Sequence, residues 1–240
     1  MSKIIIVTGA SSGIGKSIAQ LLSSNGFMVY GTCRDPKKYN ITDFNLLQCD
    51  INNNNEIKDF IKYVISKEGR VDVLINNAGN LINKPFSQTS FHDFESIYKV
   101  NVFGLAELVR QFIPYFCKSS HVINISSIHA RATKSNFIAY ATSKAAISGM
   151  NRALAIELGS SISFYCIEPA AVLTEMLKAG FVNAPSKLNQ LAACHPSGEI
   201  STPDQLSELI YFLYDKRIPA LQGTAIEFGG GISGRLFDPA

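Results

Sequence analysis

The chain of 240 residues is 46% hydrophobic and 17% charged, enough for one well-buried core and short for two. Its net charge of +3 comes without a basic run, which argues against a nucleic-acid partner, and no apolar stretch approaches the length of a membrane span or a signal-peptide core. The five cysteines (Cys33, Cys49, Cys117, Cys166, Cys194) show no Cys-x-x-Cys or Cys/His ligand spacing, so they read as buried free thiols of a reducing, cytoplasmic compartment.

In chain order, "KIIIVT" (3–8) predicts a buried strand, followed by a glycine turn and a helix over 14–25. "FMVYGT" (27–32) and "NLLQCD" (45–50) predict the second and third strands. "NNNN" (52–55) suits the N-cap of a helix over 56–67, and "VDVLIN" (71–76) is the fourth strand. A long helical region spans 89–117 and "HVINIS" (121–126) is the fifth strand. A helix around 137–150 precedes "SISFYCIE" (161–168), and a helix over 203–214 precedes "GTAIEF" (223–228). Short β-branched runs alternating with helices predict an α/β fold of the doubly wound, Rossmann kind. It has a parallel sheet of about seven strands with helices on both faces, in a single domain over 1–240.

"TGASSGIG" (8–15) follows the first strand and opens the first helix. Gly9, Gly13 and Gly15 stand where a phosphate-binding turn needs close backbone approach, and the N–H groups of the helix start, with Ser11, Ser12 and Ile14, face the phosphates. At the end of the second strand, where an NAD site carries an acid for the ribose, "GTCRDPKK" has Cys33 and then Arg34. Arginine's planar fork suits a 2′-phosphate, so NADP is expected over NAD, with Asp35 pointing away or pairing with Arg34. Asp50 and Ile51 end the third strand beside the expected adenine. Asn77, Ala78 and Gly79 of "NNAG" end the fourth, at the carboxyl edge where ligands bind in such sheets.

"YATSK" (140–144) puts Tyr140 and Lys144 four apart, on one helix face. Alone, the pair is equally a solvated surface neighbour. With TGASSGIG, NNAG, "VNVFG" (100–104), "NISS" (124–127) and "EPAAVLT" (168–174) in order and in register, the whole chain resembles a short-chain dehydrogenase/reductase of the single-domain type. The resemblance implies a hydride-transferring oxidoreductase acting on a carbonyl or secondary alcohol with NADP(H). Tyr140 would be the acid/base, and Lys144 would bind ribose hydroxyls and lower the tyrosine pKa. Ser127 would hold the carbonyl oxygen, and Asn101 would hold a helix distortion and a relay water. Holding a tyrosine ionised near neutral pH costs about 4 kcal/mol, which a nearby ammonium helps to offset.

Pro169, Ala170, Val172 and Thr174 would border the nicotinamide. Ala170 replaces a glycine of the family pattern, which raises the question of positive φ at that turn. The segment 173–199 is expected to be an apolar substrate lid with helical pieces. "SSIHARATKSNF" (126–137) would be another wall, with His129 and Arg131 reaching a polar substrate group. The four histidines have no metal-ligand spacing, so no metal is expected. Relatives pair through the helices of 89–117 and YATSK, which implies a homodimer or homotetramer; Ala145, Ala146, Gly149, Ala153, Leu105, Leu108 and Phe112 are the candidate surface. The other reading is a catalytically idle NADP-binding regulator, against which the presence of all four of Asn101, Ser127, Tyr140 and Lys144 argues.

Overall fold

The computed structural model describes residues 2–235. Seven strands form one sheet: β1 (Ile4–Val7), β2 (Met28–Cys33), β3 (Asn45–Gln48), β4 (Val71–Asn76), β5 (Phe116–Ile125), β6 (Ile162–Pro169) and β7 (Ala225–Phe228). All pairings are parallel and the order is β3-β2-β1-β4-β5-β6-β7. The chain winds outward from β1 to β3, then returns to the other side of β1 with β4. Connections therefore diverge above the carboxyl ends of β1 and β4 and leave a crevice there.

Around the sheet lie α1 (Gly13–Ser24), α2 (Asn54–Glu68), α3 (Phe91–Tyr98), α4 (Leu105–Phe112), α5 (Ile138–Leu158), α6 (Glu175–Ala179), α7 (Pro185–Cys194) and α8 (Pro203–Asp215). The period of two in β1 divides its side chains between two cores. Ile4 and Ile6 join Ile57, Leu108, Phe112 and Ile147 under α2, α4 and α5. Ile5 and Val7 join Ile18, Leu22, Leu206 and Ile210 under α1 and α8. Each such side chain, once fully buried, contributes about 1.5–3 kcal/mol. Among the described residues no helix is long and apolar enough to cross a membrane.

The caps follow local chemistry. Asn53 accepts from the N–H groups of Asn55 and Glu56 and starts α2, and Gly69 ends it at φ +70°. Ser90 and Asp93 form a capping box on α3. The expected helix over 89–117 is corrected in two places. It is interrupted by a π-turn over Lys99–Gly104, and it stops at Phe112 because Pro114 supplies no N–H to continue it. Phe116 and Cys117 belong to β5 instead.

His121 of β5 is buried between Tyr165 and Tyr214, with ring centroids 6.0 and 5.7 Å away. Neither ring nitrogen has a hydrogen-bond partner. Burial first, then the charges of Arg217 and Lys3, push its pKa down to about 4. A folded-state pKa below the unfolded ~6.5 makes the neutral ring's contribution complete above pH ~6.5. It is lost as pH falls toward 4, by at most about 3 kcal/mol. His121→Leu should therefore flatten the fall in urea stability between pH 6.5 and 4. An unchanged slope would assign the acid sensitivity to other groups.

Candidate active site

The turn between β1 and α1 is built to bring backbone close to a ligand. Gly9 and Gly13 have φ of +67° and +54°. A Cβ on Gly15 would lie 2.3 Å from the Gly9 carbonyl oxygen, and one on Gly9 would lie 3.0 Å from Ala78 Cα. Thr8 and Asn77 tie this turn to the end of β4. Thr8 Oγ1 accepts from the N–H groups of Asn77 and Ala78, both at 2.9 Å. The Asn77 amide donates to the carbonyls of Thr8 (2.9 Å) and Gly9 (3.2 Å). Asn77, expected at the cofactor, thus has its amide engaged in shaping the glycine turn. Ser12 precedes α1 without making a side-chain cap bond, and the first turn of α1 carries no acid. Ser12 is exposed, Ser11 and Ile14 are half-buried. Open N–H groups, a positive dipole end and a cradle that a Cβ would fill fit a dinucleotide pyrophosphate.

At the other end of the crevice, Cys33 is buried and Arg34 is exposed. Asp35 turns to the N–H of Lys37 (3.2 Å) and to Lys38 Nζ (3.4 Å), not to Arg34. Asp50 accepts from the Asn52 N–H at 3.0 Å, leaving it half-buried at the end of β3 beside buried Ile51.

Tyr140 and Lys144 share the inner face of α5. Lys144 Nζ lies 5.7 Å from the Tyr140 ring centroid and donates to the Ile125 carbonyl at 2.9 Å. Burial lowers the Lys144 pKa to about 8, so it remains mostly an ammonium near neutrality. Burial raises the Tyr140 pKa, and the Ser127 hydroxyl beside it opposes that shift. The chain's own residues therefore keep Tyr140 protonated at neutral pH. Burial is the larger of the two influences.

Asn101 sits in the π-turn and is buried. Its Oδ1 accepts from the Asn80 N–H (2.8 Å), and its Nδ2 donates to the Asn80 carbonyl (3.0 Å) and Ser143 Oγ (2.9 Å). It thereby links the residue after Gly79 to the residue before Lys144. A Cβ on Gly79 would lie 3.5 Å from Lys144 Nζ, so the end of β4 touches both the glycine turn and the Tyr140–Lys144 pair.

His129 stacks on Phe137 (4.7 Å, 14°) and meets Tyr140 edge-on (5.5 Å); its Nδ1 is 2.8 Å from Thr133 Oγ1. Burial, then Lys134, lowers its pKa. It forms a wall beside Tyr140. Arg131, expected to reach substrate, is instead taken up by Glu168, by Glu227 (2.9 Å) and by the Ala225 carbonyl (3.0 Å).

The segment 173–199 contains α6 and α7, with Met176 and Val182 exposed. Thr174 caps α6 by accepting from the Leu177 N–H at 3.2 Å, and its Cγ2 is 3.3 Å from where a Gly13 Cβ would lie. Val172 bridges to Ser201, and Pro169 ends β6 opposite Phe228. Ala170 is not at positive φ; among the described non-glycine residues only Ser119 and Asn136 are. Its methyl lies 3.0 Å from the position of a Cβ on Gly229, so the alanine is accommodated by a neighbouring glycine rather than by strain. Thr8 and Glu168 are the residues that sequence reasoning left without a role. Their place at the carboxyl ends of β1 and β6 was the available signal.

A sequence profile described as short chain dehydrogenase matches residues 3–183. The chain belongs to this family of oxidoreductases. It is 31% identical over 241 residues to a 7alpha-hydroxysteroid dehydrogenase of Escherichia coli, covering 95% of this chain and 93% of that protein. It is 30% identical over 196 residues to an NADPH-dependent pterin aldehyde reductase of Arabidopsis thaliana, covering 77% and 81%. The ligand-free structure of Thermoplasma acidophilum aldohexose dehydrogenase superposes with a TM-score of 0.92 at 28% identity, covering 100% of this chain and 98% of that one.

Proposed function

We propose that the chain reduces a carbonyl compound to a secondary or primary alcohol with NADPH, and catalyses the reverse reaction with NADP. The observation that carries this reading is the grouping of Ser127 with Tyr140 and of Tyr140 with Lys144, whose ammonium reaches the end of β4 that also abuts the glycine turn. A dinucleotide held at the glycine turn of Gly9, Gly13 and Gly15 would supply the hydride for the carbonyl carbon. Tyr140 gives its proton to the carbonyl oxygen, and Ser127 donates a hydrogen bond to the same oxygen as charge grows there. A buried tyrosine that keeps its proton suits this acid role. The Lys144 ammonium favours the phenolate left behind and would hold the ribose hydroxyls. Asn101 keeps residues 79–80 and α5 in fixed relation. The exposed Met176 and Val182 and the His129–Phe137 stack support a medium-sized, partly apolar substrate.

NADPH preference is supported by Arg34, exposed where an acid would select NAD, and by the NADPH-dependent relative in Arabidopsis thaliana. Arg34→Asp should lower the NADPH/NADH ratio of kcat/KM by about 10- to 100-fold, the worth of one charge-assisted hydrogen bond. An unchanged ratio would show that another group reads the phosphate. The deciding experiment is oxidation of NADPH and NADH against acyl thioesters, aldoses, diketones and ring ketones, with Tyr140→Phe in parallel. Turnover that disappears in the variant supports the reading; cofactor binding without turnover on any carbonyl favours the idle regulator.

Self-association is part of the same proposal. Leu105, Leu108 and Phe112 are buried in the core and supply no outer surface, which corrects their candidacy. Ile138, Ala145, Ala153 and Ile156 of α5 are exposed and support pairing of that helix. Sedimentation should give a dimer or tetramer, and a monomer at micromolar concentration would remove this surface as an interface.

A further inference from the structure

We propose that Arg131 and Glu168 are positioning residues that set the spacing of Ser127 against Tyr140; the proposal rests on the catalytic reading of those two side chains. Ser127 starts a single turn of 3-10 helix, Ile128–Ala130, which ends at Arg131. The turn is closed by its own bonds. The Ser127 carbonyl accepts from the Ala130 N–H (2.9 Å), Ser127 Oγ accepts from the His129 N–H (3.2 Å), and the Ile128 carbonyl accepts from Arg131 and Ala132 (3.0 and 2.9 Å). A unit this short and this bonded moves as one piece, so what holds Arg131 holds Ser127.

Arg131 is held at three points. Its Nε donates to the Glu168 carboxylate, one terminal nitrogen donates to Glu227 (2.9 Å), and the other donates to the Ala225 carbonyl (3.0 Å). Glu168 is 2% exposed, while the arginine reaches it from the surface. Its other carboxylate oxygen accepts from Ser148 Oγ at 2.6 Å. Ser148 lies one helical turn beyond Lys144 on α5. Ser126 Oγ, next to Ser127, donates to the Lys144 carbonyl at 2.8 Å, and Ser148 Oγ lies 3.3 Å from Ser126 Oγ. One buried carboxylate is thus gripped on one side by the turn that carries Ser127 and on the other by the helix that carries Tyr140 and Lys144. It also directly precedes Pro169 and Ala170 at the end of β6.

A buried carboxylate stripped of its cation is costly, and the pair is held by several further bonds, so the two residues act together. Arg131→Met should leave Glu168 unpaired and release the turn. Small displacements of a reacting group cost up to about 100-fold in rate, so kcat should fall by about 10- to 100-fold with KM and cofactor affinity little changed. Arg131→Lys keeps the charge for Glu168 but cannot make all three contacts, and should be intermediate. Adding Glu168→Gln to Arg131→Met removes the unpaired charge and should restore part of the loss, a non-additive result.

The test uses the full chain and two readouts. The first is amide hydrogen exchange over 126–133, which needs no substrate. The second is kcat and KM for whichever carbonyl of the panel above gives the highest kcat/KM. Faster exchange in 126–133 of Arg131→Met with α5 unchanged, recovered in Arg131→Lys, supports the proposal, as does a loss confined to kcat. Unaltered exchange, or a uniform rise across the whole chain that Arg131→Lys and Glu168→Gln share, overturns it. Tyr140→Phe tests the catalytic reading separately. Full turnover in that variant would sink the assignment of Tyr140, while the exchange data would still decide whether Arg131 and Glu168 fix the Ser127 turn.

Discussion

Tyr140→Phe should bind the cofactor almost as the parent chain does and lose turnover by about 10²- to 10⁴-fold, the range for removing a positioned general acid. The substitution deletes one oxygen and keeps the ring. The edge contacts of Tyr140 with His129 and Phe137 are made by the ring and survive. Lys144 keeps its bond to the Ile125 carbonyl, so its charge stays in place. What disappears is the hydroxyl beside Ser127 that is proposed to protonate the substrate oxygen. A variant that retains comparable kcat would mean that another group, or water, protonates the oxygen, and would take the tyrosine out of the mechanism. A variant that loses cofactor affinity instead would mean that the hydroxyl serves binding. Measuring kcat, KM and cofactor affinity together separates these results.

Gly15→Ala should damage both stability and cofactor binding. The added methyl carbon would lie 2.3 Å from the Gly9 carbonyl oxygen, 2.5 Å from Asn77 Nδ2 and 2.9 Å from the Gly9 carbonyl carbon. Two of those atoms are backbone, so no rotamer change relieves the contact. The turn and the first residues of α1 must separate, which at the usual cost of overpacking is about 1–3 kcal/mol. For a chain of this size that lowers the melting temperature by about 2–12 °C. The same movement breaks the Asn77 bonds that shape the turn, and loss of one charge-assisted hydrogen bond to phosphate weakens cofactor binding by roughly tenfold or more. Gly234→Ala is the control, because its Cβ would meet nothing within 4 Å. Equal melting temperatures and equal affinities for the two variants would show that the close approach is relieved by a route other than opening the turn.

The parts of the fold that the sequence revealed are those with local causes. β1, β4 and β6 are runs of β-branched and apolar residues because both of their faces are covered. Asn53 and Gly69 are legible as helix ends because capping uses only neighbouring residues. Tyr140, Lys144, Ser127 and Asn101 could be singled out by spacing and order. The rest depends on contacts between distant positions. Arg131 looked like a loop residue facing substrate, but its partners, Glu168 and Glu227, are far along the chain. Asn77 could be placed at the carboxyl edge of the sheet, but its amide bonds to the distant Thr8 and Gly9 carbonyls are visible only in the fold. The protonated state of Tyr140 depends on how completely the helix is covered, which composition does not disclose. Ala170 looked like a conformational conflict, and the relief comes from Gly229 on the next strand's exit.

The wide turn over Lys99–Gly104 governs more than the placement of one asparagine. A helix advances about 100° with each residue, so an extra residue in an even helix would rotate everything after it; a turn that takes in one more residue than usual absorbs that rotation. Upstream of it, Ile97 points inward; downstream, Leu105, Leu108, Val109 and Phe112 do. Deleting one residue between 99 and 104 other than Asn101 would close the wide turn into an even winding that still seats those four side chains near the sheet, and would carry Asn101 off Asn80 and Ser143. Gly104 limits the alternatives further, since a Cβ there would lie 2.4 Å from the Ile51 carbonyl oxygen. In this stretch, length itself is under constraint: the count of residues, apart from their identity, decides whether the wide turn forms and with it where the asparagine points.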